Sequence, residues 1–221
     1  MSSTAVVVAM VAVGVIRLVR AIVGGPPPQG MTESDRVLRG QHGVRPWPIA
    51  ELPDGQQGRL VGTARELHRT LTAQLSGRVC LYQVVLVERV GPSGTRELFT
   101  ERSGVAFTLE DASGSAIIDP ARASVALAFD HRQEIRPPEA PSPPQRALLL
   151  RHGYRSDSGE RLRFAEAVLS VGERITVVGV GHRRHDLASP VELDYRTAPS
   201  PRLQLASSDA APLLISSHYI R

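Results

Sequence analysis

The chain has 221 residues, of which 42% are apolar and 22% charged, so it has the composition of a globular protein with room for one domain. The formal net charge is +4, and all 26 basic residues are arginine because the sequence contains no lysine. The absence of lysine excludes Schiff-base catalysis and the P-loop type of nucleotide hydrolysis. Arginine favours bidentate contacts with phosphate or carboxylate, although scattered solvated charge is the simpler interpretation.

The first predicted element is an apolar segment at the N-terminus. No residue from Ser2 to Ile16 is charged, and mostly apolar residues continue to Val23. A membrane-spanning helix needs about 20 residues, and Arg17 and Arg20 can extend their charges to the headgroups. We therefore predict a transmembrane anchor over residues 1–23, with residues 2–23 in contact with membrane lipid.

The position of the charges predicts the orientation of this anchor. A signal peptide carries its positive charge before the apolar stretch, whereas Arg17, Arg20 and Arg36 follow it here. An uncleaved anchor is therefore favoured over a signal peptide or a buried soluble helix. By the positive-inside tendency, a single-pass protein of this kind has its N-terminus outside and its domain in the cytoplasm.

Residues 24–48 are rich in Gly, Pro and charge, which predicts a linker and a domain over residues 49–219. Short β-type runs follow, each bounded by turn residues, as successive antiparallel strands require. Residues 65–76 fit a helical turn or an irregular strand equally well. The predicted strands are 58–64, 78–90, 97–100, 105–110, 115–118 and 124–129.

The second half of the domain starts with a proline-rich loop at residues 136–145, which cannot join a sheet because proline lacks the amide donor. Residues 147–154 and 160–168 fit either helix or strand, whereas 174–181 is a clear strand. Two short runs, 203–205 and 213–215, close the domain. The predicted fold is mainly β with minor α: a small antiparallel β-barrel, with an OB-like barrel as one option, or two packed sheets.

The only cysteine, Cys80, excludes an internal disulfide and every zinc site that needs several cysteines. It lies within the apolar run Val79–Val87, which reads as a buried strand. A buried thiol of this kind behaves as a small hydrophobe, and this interpretation is favoured over a reactive nucleophile.

Other polar clusters are better explained by structure than by chemistry. His182 and His185 are separated by two arginines, so a solvated basic turn is favoured over a metal site. Glu110 and Asp111 are neighbours in an extended run and point to opposite faces. Asp111 reads as the first residue of a turn that ends at Gly114.

A catalytic triad is not indicated either. Ser76, His68 and an aspartate are present, but no nucleophile-elbow sequence accompanies them. Glu110 and Asp111, followed by Asp119, suggest acid and base groups, but Glu110 and Asp111 cannot converge easily from opposite faces of a strand. Gly172–Glu173 fits a hairpin that enters the strand at Arg174. We predict no catalytic, cofactor-binding or metal-ligating residue and no cofactor.

Four blocks of the sequence, in this order and spacing, resemble the GIDE domain. This domain characterises mitochondrial, membrane-embedded E3 ubiquitin ligases of the mulan type and occurs in many bacterial membrane proteins. Each block is weak alone, but together they cover roughly residues 49–219, and Pro212–Ser216 resembles the end of the domain. The blocks are Leu60–Ala64, Leu75–Tyr82, Phe107–Pro120 and Glu166–Gly179.

The resemblance implies a cytoplasmic domain on a bacterial inner membrane, without the ligase chemistry. In the ligases a C-terminal RING binds two zinc ions through Cys and His ligands, whereas this sequence has one cysteine. The second membrane helix of the family has no counterpart. The expected function is that of a noncatalytic interaction or scaffold module with a membrane or cytoplasmic protein as its partner.

Two other function classes stay open. The arginine content and a small barrel fit binding to anionic lipid or nucleic acid, although four Phe, four Tyr and one Trp supply few stacking platforms for bases. An enzyme with an unrecognised site would require a polar cleft with perturbed titratable groups. No small-molecule substrate is indicated.

Overall fold

The structure is a computed structural model that describes residues 32–155, 159–184 and 202–217. The helices are α1 (Glu33–Gln41), the 3₁₀ helix η1 (Ile49–Glu51) and α2 (Pro143–Arg151). The strands are β1 (Gln57–Glu66), β2 (Leu71–Thr72), β3 (Val79–Cys80), β4 (Tyr82–Gly91), β5 (Gly94–Gly104), β6 (Phe107–Glu110), β7 (Ser115–Asp119), β8 (Ser124–Ala126), β9 (His131–Ile135), β10 (Arg161–Leu169), β11 (Arg174–Arg184), β12 (Arg202–Ala206) and β13 (Leu214–Ser216).

The predicted anchor, residues 1–23, and the first part of the predicted linker lie outside the described residues. Within the three described ranges, no helix is both long and apolar enough to cross a membrane.

Five strands form a closed barrel in the order β1, β6, β7, β12 and β11, and β11 returns to pair with β1. The prediction of a mainly β fold with minor helix is therefore confirmed. The prediction that all strands are antiparallel is wrong, since β7 pairs with β12 and β8 pairs with β13 in parallel. β8 and β13 continue the sheet beyond β11.

Alternating side chains fill the barrel. β1 has the burial period of two that is expected for a strand with one face in a core. Leu52, which follows η1, lies over one end of the barrel, close to the backbone of Gly58 and Gly181. A Cβ atom at these glycines would lie 2.5 and 2.7 Å from Leu52, so the lack of a side chain permits the contact. The interior includes Leu60, Phe107, Leu109, Ile118, Ile175, Val177, Leu203 and Leu205.

A four-stranded antiparallel sheet, in the order β5, β4, β10 and β9, extends from the barrel. Tyr82 in β4 and Leu169 in β10 lie in the barrel core, so these two strands join the four-stranded sheet to the barrel. Farther along, one face of the sheet packs against α2 through a second core. This core is formed by Val85, Val87, Ile135, Leu148, Leu149, Leu162 and Phe164.

The second part of the predicted linker over residues 24–48 is folded, because a helix follows Thr32, the first described residue. Thr32 and Asp35 form a capping box that starts α1. Val37 of this helix is fully buried, and Gly40 lies against Leu214 of β13. The short apolar face of α1 is therefore part of the domain, although its composition resembles a linker.

The proline-rich loop also ends earlier than predicted. Residues 136–140 are exposed, but Pro143 begins α2, because proline at the first helical position needs no amide donor. Ser142 and Gln145 cap this helix. Residues 160–168 take the extended alternative as β10, and residues 65–76 contain no helix.

Gln41 gives the first testable prediction. It is fully buried, and neither its Nε2 nor its Oε1 atom has a hydrogen-bond partner. Because unpartnered buried amide atoms cost free energy, we expect Gln41→Met, which has a similar shape, to raise the free energy of unfolding by about 1 to 3 kcal/mol. Denaturant unfolding measures this change.

Gln145 is the matched control, since it is buried but satisfied. It accepts from the Ser142 amide at 2.8 Å and donates to Gln133 at 2.6 Å. Gln145→Met should lower the free energy of unfolding by about 1 to 3 kcal/mol. Equal destabilisation by the two substitutions would contradict the assignment of Gln41 as an unsatisfied residue.

Candidate functional site: a groove around Trp47

An open groove of about 1030 Å³ lies on the outer face of β1. The segment between α1 and η1 forms one wall, and the β6–β7 turn forms the opposite wall. The outward side chains of β1 form the floor, because successive residues of a strand point to opposite faces. The lining includes Trp47, Arg59, Thr63, Arg65, Asp111 and Arg174.

Asp111 holds the two walls together. Its carboxylate accepts hydrogen bonds from the amides of Ile49 at 2.9 Å, Ser113 at 2.7 Å and Gly114 at 3.0 Å. The Ala50 amide donates to Ser113 Oγ at 3.1 Å. The prediction that Asp111 begins a turn is confirmed, and the turn also fixes the start of η1.

These hydrogen bonds decide the ionisation of Asp111. Partial burial raises the pKa of Asp111, but the hydrogen bonds, above all those from Ser113, outweigh the burial and lower the pKa below its ordinary value of 3.8. The carboxylate is therefore charged at neutral pH, and it is occupied by backbone donors. Asp111 serves the structure of the groove.

Trp47 is fixed to the floor of the groove by its backbone. Its amide donates to the carbonyl of Arg59 at 3.0 Å, and the Arg59 amide donates to the carbonyl of Arg45, also at 3.0 Å. The guanidinium carbon of Arg45 lies 4.1 Å from the centre of the Trp47 ring, a cation–π contact. Arg45 and Trp47, which are close in sequence, therefore form one cluster with Arg59 of β1.

This cluster holds two hydrogen-bond donors without an acceptor. Trp47 Nε1 and Arg59 Nε are both buried and both unpartnered. Leaving a buried donor unsatisfied costs about 1 to 3 kcal/mol, and more for a charged group. A ligand that accepts hydrogen bonds from these two atoms must displace the side chains that cover them. The new hydrogen bonds would then remove the cost of the unsatisfied donors.

The two arginines of the cluster, Arg45 and Arg59, also lack ion pairs among the described residues. Arg65 differs, because its Nε lies 3.4 Å from Glu110 Oε2 in an exposed pair. Among the described residues, Arg45 and Arg59 therefore lack an ion pair, although Glu51, Glu110 and Asp111 also line the groove.

The candidate residues from the sequence analysis lie outside the groove or have structural roles. Cys80 is fully buried, as predicted, and burial raises the pKa of its thiol. Ser76 accepts from Arg78 Nε at 3.0 Å, and no hydrogen bond joins it to the exposed His68 within the described ranges. His182 is exposed, and its predicted neighbour His185 lies outside the described residues.

Glu110 and Asp111 separate as the alternation predicts, since Glu110 is exposed and pairs with Arg65. Asp119 caps the next turn by accepting from the Ala121 amide at 3.0 Å. In the ranges that the structure describes, no three His, Cys, Asp or Glu side chains are placed to hold a metal ion.

The sequence interpretation missed the groove because Arg45 and Trp47 fall in the predicted linker. Arg59 lies in a predicted strand, and nothing in the sequence pattern pairs it with Trp47.

The sequence interpretation also missed Glu166, a fully buried carboxylate in β10. Glu166 accepts hydrogen bonds from the amides of Leu75 at 2.8 Å and Ser76 at 3.0 Å. Glu166 fixes the loop before β3.

The chain matches no protein-family model, no curated protein and no solved structure. The groove geometry and the sequence pattern are therefore the grounds for a functional proposal.

We expect Asp111→Asn to loosen the wall of the groove. Asparagine has one acceptor oxygen and no charge, so the variant should lose about 2 kcal/mol of the free energy of unfolding at pH 7. Because the folded pKa is lowered, the stabilisation from Asp111 is complete above its ordinary pKa and disappears as the pH falls through the folded pKa.

The difference between wild type and variant should therefore shrink below about pH 4. Urea unfolding at several pH values measures it. A difference that stays constant down to pH 2 would contradict the role of the charged carboxylate.

Proposed function

We propose that the protein is a noncatalytic binding module that residues 1–23 hold at a membrane. Its groove around Trp47 receives an acidic segment of a partner protein. The observation that carries this proposal is the pair of buried donors on the groove residues Trp47 and Arg59, since Trp47 Nε1 and Arg59 Nε have no acceptor in the described part of the chain. The apolar sequence from Ser2 to Ile16 and the arginines that follow it support the anchor.

A carboxylate is the acceptor that best fits these donors. Arginine binds carboxylates through parallel hydrogen bonds, and hydrogen bonds to charged groups contribute about 1.5 to 3 kcal/mol. The volume of about 1030 Å³ is at the upper end of the range for ligand sites, which suits several residues of an extended peptide. Arg45 is exposed and lies over the ring of Trp47, which lines this space.

The relationship to the GIDE domain is part of the proposal. The four blocks on which the resemblance rests fall on β1, on the segment from Leu75 to the start of β4, on the β6–β7 hairpin, and on β10 with β11. A turn joins β10 to β11, but the two strands lie in different sheets, so the hairpin predicted at Gly172–Glu173 is wrong. All four contribute to one hydrophobic core. The proposal takes a binding role from this relationship and no ligase activity.

Nucleic-acid binding is the second candidate, and the strand order of the barrel favours it. The third and fifth barrel strands in chain order, β7 and β12, are parallel neighbours, as in an OB-like barrel. In OB-folds the face of the second and third strands binds oligonucleotides. Here that face, on β6 and β7, carries Thr108, Glu110, Ser115, Ile117 and Asp119, without arginine or an aromatic ring. An acidic protein segment is therefore preferred.

Binding of a fluorescent oligoglutamate peptide to the full-length chain in neutral nanodiscs tests the proposal. We expect salt-dependent binding in fluorescence anisotropy, because the contacts are ionic. Arg45→Gln should weaken the affinity by about tenfold, which corresponds to about 1.4 kcal/mol. Arg45 is exposed, so the variant should fold normally.

The matched control is Arg146→Gln, which removes the same charge from an exposed position on α2. An equal loss of affinity in both variants would show nonspecific attraction and would refute the groove. Tighter binding of a single-stranded oligonucleotide that also depends on Arg45 would favour the second candidate.

A further inference from the structure

One face of the four-stranded sheet has an unusual arrangement of arginines. In β10, Arg163 lies opposite Glu88 of β4 and Glu134 of β9, so these side chains share the face that α2 does not cover. We name this surface the arginine face. Arg132, Arg136, Arg161 and Arg163 lie on or beside β9 and β10. Arg102 lies toward the other end of the face, where Val84 and Ala167 are buried in the barrel core.

Three arginines of this face share one carboxylate. Arg136 Nε lies 2.9 Å from Glu134 Oε1, Arg161 Nε contacts the same oxygen, and Arg163 lies 3.6 Å from the other oxygen. Arg161, followed by Arg136, lowers the pKa of Glu134 to about 2. The carboxylate therefore stays ionised. Arg163 also lies 3.6 Å from Glu88, so two carboxylates face three guanidinium groups.

The rest of the face keeps this excess of positive charge. Its glutamates are Glu88, Glu97 and Glu134, against the five arginines. Arg132 has only a long hydrogen bond of 3.3 Å to the Phe129 carbonyl and no ion pair among the described residues. Arg136 remains mostly exposed, with 69% of its side chain accessible. Several donors are therefore available to an anionic surface.

The described part of the chain begins near Arg102, at one end of this face. Glu33, the first residue of α1, forms an ion pair with Arg102 of β5. The same glutamate accepts from the Val125 amide at 3.3 Å, so the start of α1 is fixed. Eight residues separate Thr32 from the end of the predicted anchor at residue 23, and a chain of eight residues spans at most about 29 Å.

We propose that the arginine face docks on the anionic headgroups of the membrane that holds the chain. This proposal rests on the anchor of the proposed function. The short connection lets the face reach the bilayer, and its partly exposed arginines bind lipid phosphates. Each arginine near an anionic surface strengthens the attraction about fivefold. Docking also directs α2, on the other side of the sheet, away from the lipid.

Arginine labelling of the full-length chain tests the docking. The chain is reconstituted into phosphatidylcholine nanodiscs and into nanodiscs that also contain phosphatidylglycerol, and reaction with phenylglyoxal is followed by mass spectrometry. We expect Arg136 and Arg161 to react about fivefold more slowly in the anionic discs. Arg146 on α2 should react at the same rate in both. High salt should abolish the difference.

Variants separate docking from bulk charge. Arg132→Gln with Arg136→Gln should remove the protection of Arg161, whereas Arg96→Gln with Arg146→Gln, which removes the same charge on the α2 side, should leave it intact. Equal rates for Arg161 in the two discs would overturn the proposal. Equal slowing by free glycerol phosphate in neutral discs would also overturn it, since it would indicate a phosphate site without docking.

A failure of the predicted membrane anchor can be distinguished from a failure of the docking. A chain that does not remain with neutral discs refutes the anchor of the proposed function. In that case flotation with phosphatidylglycerol vesicles decides the docking. Wild type should float and the variant with Arg132→Gln and Arg136→Gln should not, and equal flotation of the two would overturn the proposal.

Discussion

The pairing of β1 with β11 is the constraint on which the other features of the domain depend. It runs over seven residue pairs, from Gln57 opposite Val180 to Thr63 opposite Arg174, and it closes the barrel. The other edge of β11 is then left for β12 and β13. The outer face of β1 lies under the segment that contains Trp47. Without this closure Leu52 would have no barrel end to cover, and Arg59 would not lie beneath Trp47.

Local patterns in the sequence predicted most strands but not their arrangement. Alternating burial in β1 and the turn after Asp111 are readable because they involve neighbouring residues. The parallel pairing of Ala116 with Leu203 joins residues that are far apart, and no local signal specifies it. Helix α1 was missed because Val37 is its main buried apolar residue, so its composition resembles a linker. The groove was also missed, because Arg45 and Trp47 follow this helix within the stretch predicted as a linker.

Two positive surfaces of the domain differ in their chemistry. In the groove, Trp47 and Arg59 carry buried donors without an acceptor among the described residues, which favours a specific segment of a partner. On the arginine face, the guanidinium groups around Glu134 are half-exposed and shared, which favours a surface with many phosphates. A module that contacts lipid through one surface and a protein through the other would hold its partner at the membrane.

The central claim is that the donors at Trp47 are kept for an acidic ligand. Trp47 is the only tryptophan, so the ¹⁵N–¹H spectrum of the chain contains one indole signal. During titration with an oligoglutamate peptide, this signal should move downfield and its hydrogen exchange should slow, because Nε1 gains an acceptor. An indole signal that stays unchanged while the peptide binds would contradict the account.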